Sequence, residues 1–486
     1  MRLGDSLHGD PVAAIAAVLE RQRRAFLADG FPGLATRIDR LDRLARMVLG
    51  HEHEIVAALA CDFGGRSAVQ TLSGDVVGGV NAIRYHRDHL EDWMRPTPVA
   101  LPASIERAGA RAEVRYEPLG VVGAMVPWNG PVLLSCLAAA NVFAAGNRLL
   151  LKPSELAPAT SALLSRMFGA YFDVTEAAVV EGGAEIAAAF AAQPFDHLLF
   201  TGSPGVARSV LRAAAEHLVP VTLELGGKSP VVVGTSADLP VVARRLAHGK
   251  LASAGQVCVT PDYALVPKGS ARQIAAAVAA EAARLYPTRV GNDDYTAIIN
   301  DAHVQRLLGL VDDARARGAG IVEVNPAGEP VDVAACRKLP LYLVLDPTDA
   351  MAVMQQEIFG PILPLMEYAR IDDALAYIAR HPHPLSAYYF GTDAEETARV
   401  VESVASGSMV VNDVRCQIFF EQLPFGGVGT SGMGRYRGYE GFRTFSNAKT
   451  VVYQMDADGP LAAQRPPYDA KMRDSLARQI EAMRGA

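Results

Sequence analysis

The 486-residue chain has no long apolar run. Its most apolar stretch, Val132 to Ala145, covers about fourteen residues and includes Ser135 and Asn141, short of the roughly 20 needed to span a bilayer. Cysteine is scarce too. Cys61, Cys136, Cys258, Cys336 and Cys416 are odd in number, widely spaced and never arranged as Cys-x-x-Cys, which argues against a disulfide framework and a structural zinc site. The N-terminal MRLGDSLHGDPVAAI soon meets Glu20 and Arg21 and does not read as a secretory signal. Positive charge is not in excess: 46 Lys and Arg against 53 Asp and Glu give a net charge of −7 without a long basic run. Neither nucleic acid nor a membrane is therefore expected as a partner. These absences point to a cytoplasmic chain with reduced thiols, whose partners are small molecules and copies of itself.

What is present is ordinary for a globular protein: 50% apolar residues, 20% charged residues, 43 glycines and 30 prolines. Leu41, Leu44, Met47 and Val48 show the helical spacing of the first hundred residues. Pro96 to Pro102 ends that block, and Ile105 to Tyr116 reads as a partly exposed strand or ribbon suited to a protruding arm. From Gly120 to Leu225, five apolar runs (GVVGAMV, RLLLK, AVV, HLLFTG, PVTLEL) alternate with helical stretches at 131–145, 157–170, 183–192 and 205–217. Continuous apolar strands with helices between them predict an α/β fold with a parallel sheet covered on both faces. A second α/β region, about Lys228 to Gln422, contains LYLVL, PILPLME and SAYYFG. A glycine-dense segment, Gly426 to Gly441, follows, with a helix candidate near Met472 to Met483.

Ligands of such sheets bind beyond the carboxyl ends of the strands. There, Gly202 and Ser203 stand where a helix begins and suit a dinucleotide pyrophosphate, while Lys152 and Glu155 could hold ribose hydroxyls. A helix cap and an exposed ion pair are the plainer readings of the same residues. The literal Gly427-Val428-Gly429-Thr430-Ser431-Gly432 fingerprint follows no strand and reads as a structural loop. Cys258 is either a packing residue or a nucleophile. Glu224 lies in an apolar strand end, where a carboxylate needs a partner or is held in a cavity for use. The pairs His51/His53 and His381/His383 lack further ligands and read as surface features, so no metal is expected.

PWN, KPSE, FTGS, LELGGKSP, AGQVC, EIFGP and PFGGVGTSGMG occur in one order along the chain. In that order and spacing the sequence resembles the NAD(P)-dependent aldehyde dehydrogenases. CVTPDY and GFRTFS look most like the class 3 branch, and RAFLADGFP, RIDRLDRL, PFDHLLFTGS and MAVMQQEIFGPILP look like bacterial coniferyl aldehyde dehydrogenases. The resemblance implies a Rossmann-like domain with five parallel strands, an α/β catalytic domain and a small β oligomerisation arm. The corresponding ranges are 1–101 and 120–225 for the NAD(P)-binding domain, 226–425 for the catalytic domain, and 102–119 with 426–486 for the arm and C-terminal segment.

The same resemblance implies that Cys258, as a thiolate, attacks the aldehyde. Asn129 would hold the oxyanion and Glu224 would activate the water that releases the acid. Lys152 and Glu155 would hold the adenosine ribose, Trp128, Gly202 and Ser203 the pyrophosphate region, and Glu357 with Phe359 the nicotinamide end of NAD, with Leu225 a further cofactor-binding residue and NADP left open. A homodimer is expected. Gly130, Pro204, Ala207, Ser253, Val257 and the 414–420 segment depart from the common pattern. Gly130 would open room near the reacting carbon, and Phe419 or Phe420 would wall it for an aromatic aldehyde of the coniferyl type. The alternatives are a medium-chain or general aliphatic aldehyde, or, outside the family's chemistry, a cysteine hydrolase or a non-catalytic scaffold.

Overall fold

Apolar runs too short for helices and bounded by turn residues become strands, and their burial follows from helices on both faces. A computed structural model describes residues 10–332, 336–454 and 465–485. The first strands are β1 (Thr97–Val99), β2 (Arg111–Pro118), β3 (Val121–Met125), β4 (Arg148–Lys152), β5 (Ala177–Val179), β6 (His197–Thr201) and β7 (Val221–Glu224). β8 (Pro230–Val233), β9 (Tyr263–Pro267), β10 (Gly320–Val324), β11 (Leu341–Leu345) and β12 (Ile362–Tyr368) come next. β13 (Ser386–Phe390), β14 (Ser408–Val411), β15 (Gly432–Met433) and β16 (Ser446–Tyr453) complete the described strands.

The five expected apolar runs form a parallel array in the order β7-β6-β3-β4-β5. Every residue of β3 and β4 is buried. Helices Pro131–Ala144, Pro158–Tyr171, Ala184–Ala191 and Pro204–Ala215 fall within two residues of their predicted ends. Three of them begin with proline, whose missing N–H costs nothing at a helix start. The chain runs from β3 outward to β5 and then returns to β6 on the other side of β3. That reversal opens a crevice at the carboxyl ends of β3 and β6.

The second sheet has the order β10-β11-β12-β9-β8-β13-β14, with only β10 antiparallel to its neighbour. β8 and β14, four residues each, were not expected, because runs that short carry little signal of their own. A third sheet, β1-β2-β16, is antiparallel, and β16 pairs along the whole of β2. The expected 105–116 ribbon is divided: Ala103–Arg107 is helical, and Gly109, at φ +97°, turns the chain into β2. β15, from the glycine-dense segment, adds a sixth, antiparallel strand beside β7. Gly432 makes this possible, since a side chain there would press on the Leu223 carbonyl. β1 lies outside the 102–119 range assigned to the arm. The C-terminal helix Ala470–Arg484 is exposed along its length. Among the described residues, no helix is long and apolar enough to cross a membrane.

Candidate active site

Cys258 follows a turn in which Ser253, Ala254 and Gly255 all have left-handed backbones, at φ 52°, 51° and 76°. Non-glycine residues pay about 1–2 kcal/mol for that region, so the surrounding contacts must hold the turn in place. Buried Gln256 does so from within. Its Nε2 donates to the Ser253 and Ala297 carbonyls and its Oε1 accepts from the Ile299 N–H, each at 3.0 Å. Gln70 Oε1 accepts the Ser253 N–H at 3.0 Å. Gly255 has no room for a side chain, because a Cβ would sit 2.5 Å from the Gly360 oxygen.

Asn129 stands in the turn after β3. Its side-chain amide donates to the Gln256 carbonyl at 3.1 Å, which brings it to the Cys258 turn. A buried ion pair fixes the Asn129 backbone: Arg66 donates to the Asn129 carbonyl and to Asp75, both at 2.8 Å, and Asp75 accepts the Leu133 N–H at 3.1 Å. Asp75 lies on a π-helical turn, Thr71–Gly78, an irregularity found often at functional sites.

Glu224 ends β7 with 2% exposure, and neither carboxylate oxygen has a hydrogen-bond partner. Burial raises its pKa well above the carboxylate range, opposed by Arg437 and Arg435. Its backbone is clamped between β6 and the glycine-dense segment: Gly202 N–H donates to the Glu224 carbonyl and Leu225 N–H to the Ser431 carbonyl, both at 3.0 Å. The glycine fingerprint at 427–432 is therefore a structural loop bracing Glu224. Burial pushes the Cys258 thiol up to about 12, and the charges of Glu357 and Glu224 add to the shift.

Glu357 is pushed up to about 7 by burial and by Asp262, against the Gly227 N–H, Lys228 and Arg306. Its carboxylate occupies the space where Gly226 lacks a side chain. Lys228 pairs with Asp262 and donates to the Val353 and Gln356 carbonyls at 2.8 and 3.0 Å. Arg306 donates to the Glu357 and Ile358 carbonyls at 3.2 and 2.6 Å. Phe359, at φ 49°, meets Trp128 edge to face at 5.4 Å.

The remaining predicted residues lie along the crevice. Leu225 follows β7, Gly202 and Ser203 follow β6, Trp128 follows β3, and Lys152 with Glu155 stands at the end of β4. Lys152 is buried, 3.7 Å from Glu155, and its pKa is lowered by burial. Ser203 caps helix Pro204–Ala215, accepting from the Val206 N–H at 3.4 Å. The plainer readings, cap and ion pair, both describe the observed bonds. A backbone laid bare at Gly202, a helix start and a buried amine on adjacent strand ends also fit a dinucleotide.

Phe419 and Phe420 are 71% and 45% exposed. Ile418 is the residue of that segment that packs against the core cluster on which Trp128, Val257 and Cys258 also pack. Among the described residues no group of three His, Cys, Asp or Glu could hold a metal. Gln256 and Lys228 lie inside recognisable motifs but were not singled out. Arg66, Asp75 and Gln70 carry no sequence signal, because their role comes from long-range contacts.

The profile of the aldehyde dehydrogenase family matches residues 12–451. The chain is 48% identical over 471 residues to a probable coniferyl aldehyde dehydrogenase of Caulobacter vibrioides, covering 96% of this chain and 97% of that protein. The structure of Staphylococcus aureus AldH in a substrate-bound state superposes with a TM-score of 0.89 at 33% identity, covering 95% of this chain and 98% of that one. A Mycobacterium tuberculosis aldehyde dehydrogenase complexed with NAD+ superposes at 0.81 with 27% identity, covering 91% of each chain.

Proposed function

The chain belongs to the aldehyde dehydrogenase family, and on that premise we propose that it oxidises an aromatic aldehyde of the coniferyl type to the acid through Cys258. The observation that carries this reading is an unpartnered buried carboxyl, Glu224, at the end of β7, together with the Asn129 amide that donates into the turn before Cys258.

Cys258 Sγ attacks the aldehyde carbon as its proton passes to a carboxylate, Glu357 and Glu224 being the two whose charges act on the thiol. The oxyanion of the thiohemiacetal is held by the Asn129 side-chain amide and the Cys258 N–H. NAD(P), the family's cofactor, supplies the hydride acceptor when bound. Glu224 then deprotonates water, which attacks the Cys258 thioester and releases the acid. Lys152, Glu155, Gly202, Ser203, Leu225, Trp128, Glu357 and Phe359 hold the dinucleotide in this reading. Residues 1–101 and 120–225 then form the binding domain and 226–425 the catalytic domain. A second copy docks through the arm, with homodimer mass by light scattering as its check.

The test is formation of reduced dinucleotide from coniferyl aldehyde, benzaldehyde and hexanal, by the wild type and by Cys258→Ala. The highest kcat/KM is expected for coniferyl aldehyde, with no turnover by the variant. A preference for hexanal would move the substrate to the aliphatic class, and activity in Cys258→Ala would overturn the mechanism.

A further inference from the structure

Among the described residues five arginines have a buried Nε without an acceptor: Arg66, Arg148, Arg289, Arg415 and Arg437. Four of them pair with a carboxylate: Arg66 with Asp75 at 2.8 Å, Arg148 with Asp29 at 2.5 Å, Arg289 with Glu329 at 3.9 Å and Arg437 with Glu421 at 3.6 Å. Arg415 has no carboxylate partner among the described residues. The acidic groups nearest to it in sequence are engaged elsewhere, Asp413 with Arg245 at 3.3 Å and Glu421 with Arg437. A partly buried guanidinium with no anion is costly to keep.

The segment that carries it is rigidly mounted. Val414 packs on Gly249, filling the space where a side chain there would stand. Gln417 Nε2 donates to Ser386 Oγ at 2.9 Å and Ser408 Oγ at 3.3 Å, and Arg437 donates to the Ile418 carbonyl at 2.7 Å. Arg415 itself takes a left-handed backbone, φ 63°, at the start of the turn Cys416–Phe419. The same segment places Ile418 against the core cluster on which Cys258 also packs. Tyr388, whose hydroxyl donates to the carbonyl of Val259, joins this wall to the residue after the nucleophile. The Arg415 charge is close enough to act on Cys258, Tyr286 and Tyr388.

We propose that Arg415 receives an anionic oxygen at the far end of the aldehyde, so that the site favours aromatic aldehydes bearing a carboxylate or an ionised phenol over uncharged ones. The proposal rests on the aldehyde-oxidising reading above and narrows its substrate class. A charge-assisted hydrogen bond of about 1.5–3 kcal/mol corresponds to roughly tenfold or more in affinity.

The experiment compares benzaldehyde, 4-carboxybenzaldehyde and 4-hydroxybenzaldehyde with NAD, using the full chain as wild type, Arg415→Leu and Arg415→Lys. In the wild type, 4-carboxybenzaldehyde is expected to have the higher kcat/KM. Arg415→Leu should lower that value about tenfold, mainly through KM, and leave benzaldehyde within about twofold. Arg415→Lys should restore part of the loss. An ionised phenol as the source would show as a preference for 4-hydroxybenzaldehyde that grows with pH through its phenol pKa and is absent in Arg415→Leu. Equal losses on all three aldehydes would reveal a structural role and overturn the proposal, as would a wild type indifferent to the carboxylate. Failure of the wild type on every aldehyde would instead overturn the reading on which the proposal rests.

Discussion

At the scale of single residues, Glu224 links chemistry to stability. Its pKa in the folded protein is raised by burial above the unfolded value of 4.5. Between those two values the folded form keeps a proton that the unfolded form releases. The stability that depends on Glu224 is therefore full below pH 4.5 and falls as pH rises through the folded pKa. Glu224→Gln removes that loss. The variant is expected to melt higher than wild type at about pH 8 and equally near pH 4, by calorimetry. With aldehyde and NAD it should release one burst of reduced dinucleotide and then stall as the thioester, which intact mass spectrometry would detect. A higher melting point combined with lost turnover is the signature of a group held against its own preference.

Asp75 is joined to the Asn129 backbone by Arg66, which donates to both. Asp75→Asn leaves Arg66 unpaired and loosens the turn that aims the Asn129 amide. A shift of about 1 Å in such a group can cost up to roughly a hundredfold. The expected result is a kcat reduced at least about tenfold with KM changed less than about twofold, since the damage falls on the transition state. Equal effects on both constants would place Asp75 in general stability instead.

At the scale of elements, the turn before Cys258 is strained, and Gln256 is its fastener. Gln256→Ala removes three hydrogen bonds and leaves buried carbonyl and N–H groups unmet, at about 1–3 kcal/mol for each buried group left unpaired. A lower melting temperature and faster proteolysis near residue 255 are the expected outcomes, read by calorimetry and peptide mapping.

The same elements show what the sequence makes legible. β3 to β7 and their helices can be read because strands covered on both faces are apolar throughout, and the helices between them repeat at their own period. β15 cannot be read: two residues, Gly432 and Met433, have no pattern, and their strand character exists only opposite Glu224 and Leu223. Cys258, Glu224 and Asn129 are recognisable through motifs, whereas Arg66 and Asp75 act through partners far along the chain. The facing of the turn Cys416–Phe419 is hidden for a similar reason. Aromatic identity does not reveal which way a short turn faces, and this one turns Ile418 inward.

At the scale of the whole molecule, the crevice where the first sheet reverses is the place proposed for the dinucleotide. Glu155 stands beside buried Lys152 at the end of β4. A carboxylate there accepts a ribose hydroxyl and repels a phosphate in its place. Wild type is expected to prefer NAD, and Glu155→Gln should raise kcat/KM with NADP relative to NAD by about tenfold, measured with one aldehyde at fixed salt. An unchanged ratio would remove Glu155 from ribose recognition.

The pairing of β15 with β7 also sets an order in time. Glu224 lies in the first half of the chain, and the strand that braces it, Gly432–Met433, follows roughly 200 residues later. A nascent chain can therefore carry Cys258 long before the surroundings that govern its reactivity are closed. Contacts of such sequence separation form late in folding. The pairing of β15 with β7 is thus among the last contacts the first sheet can make.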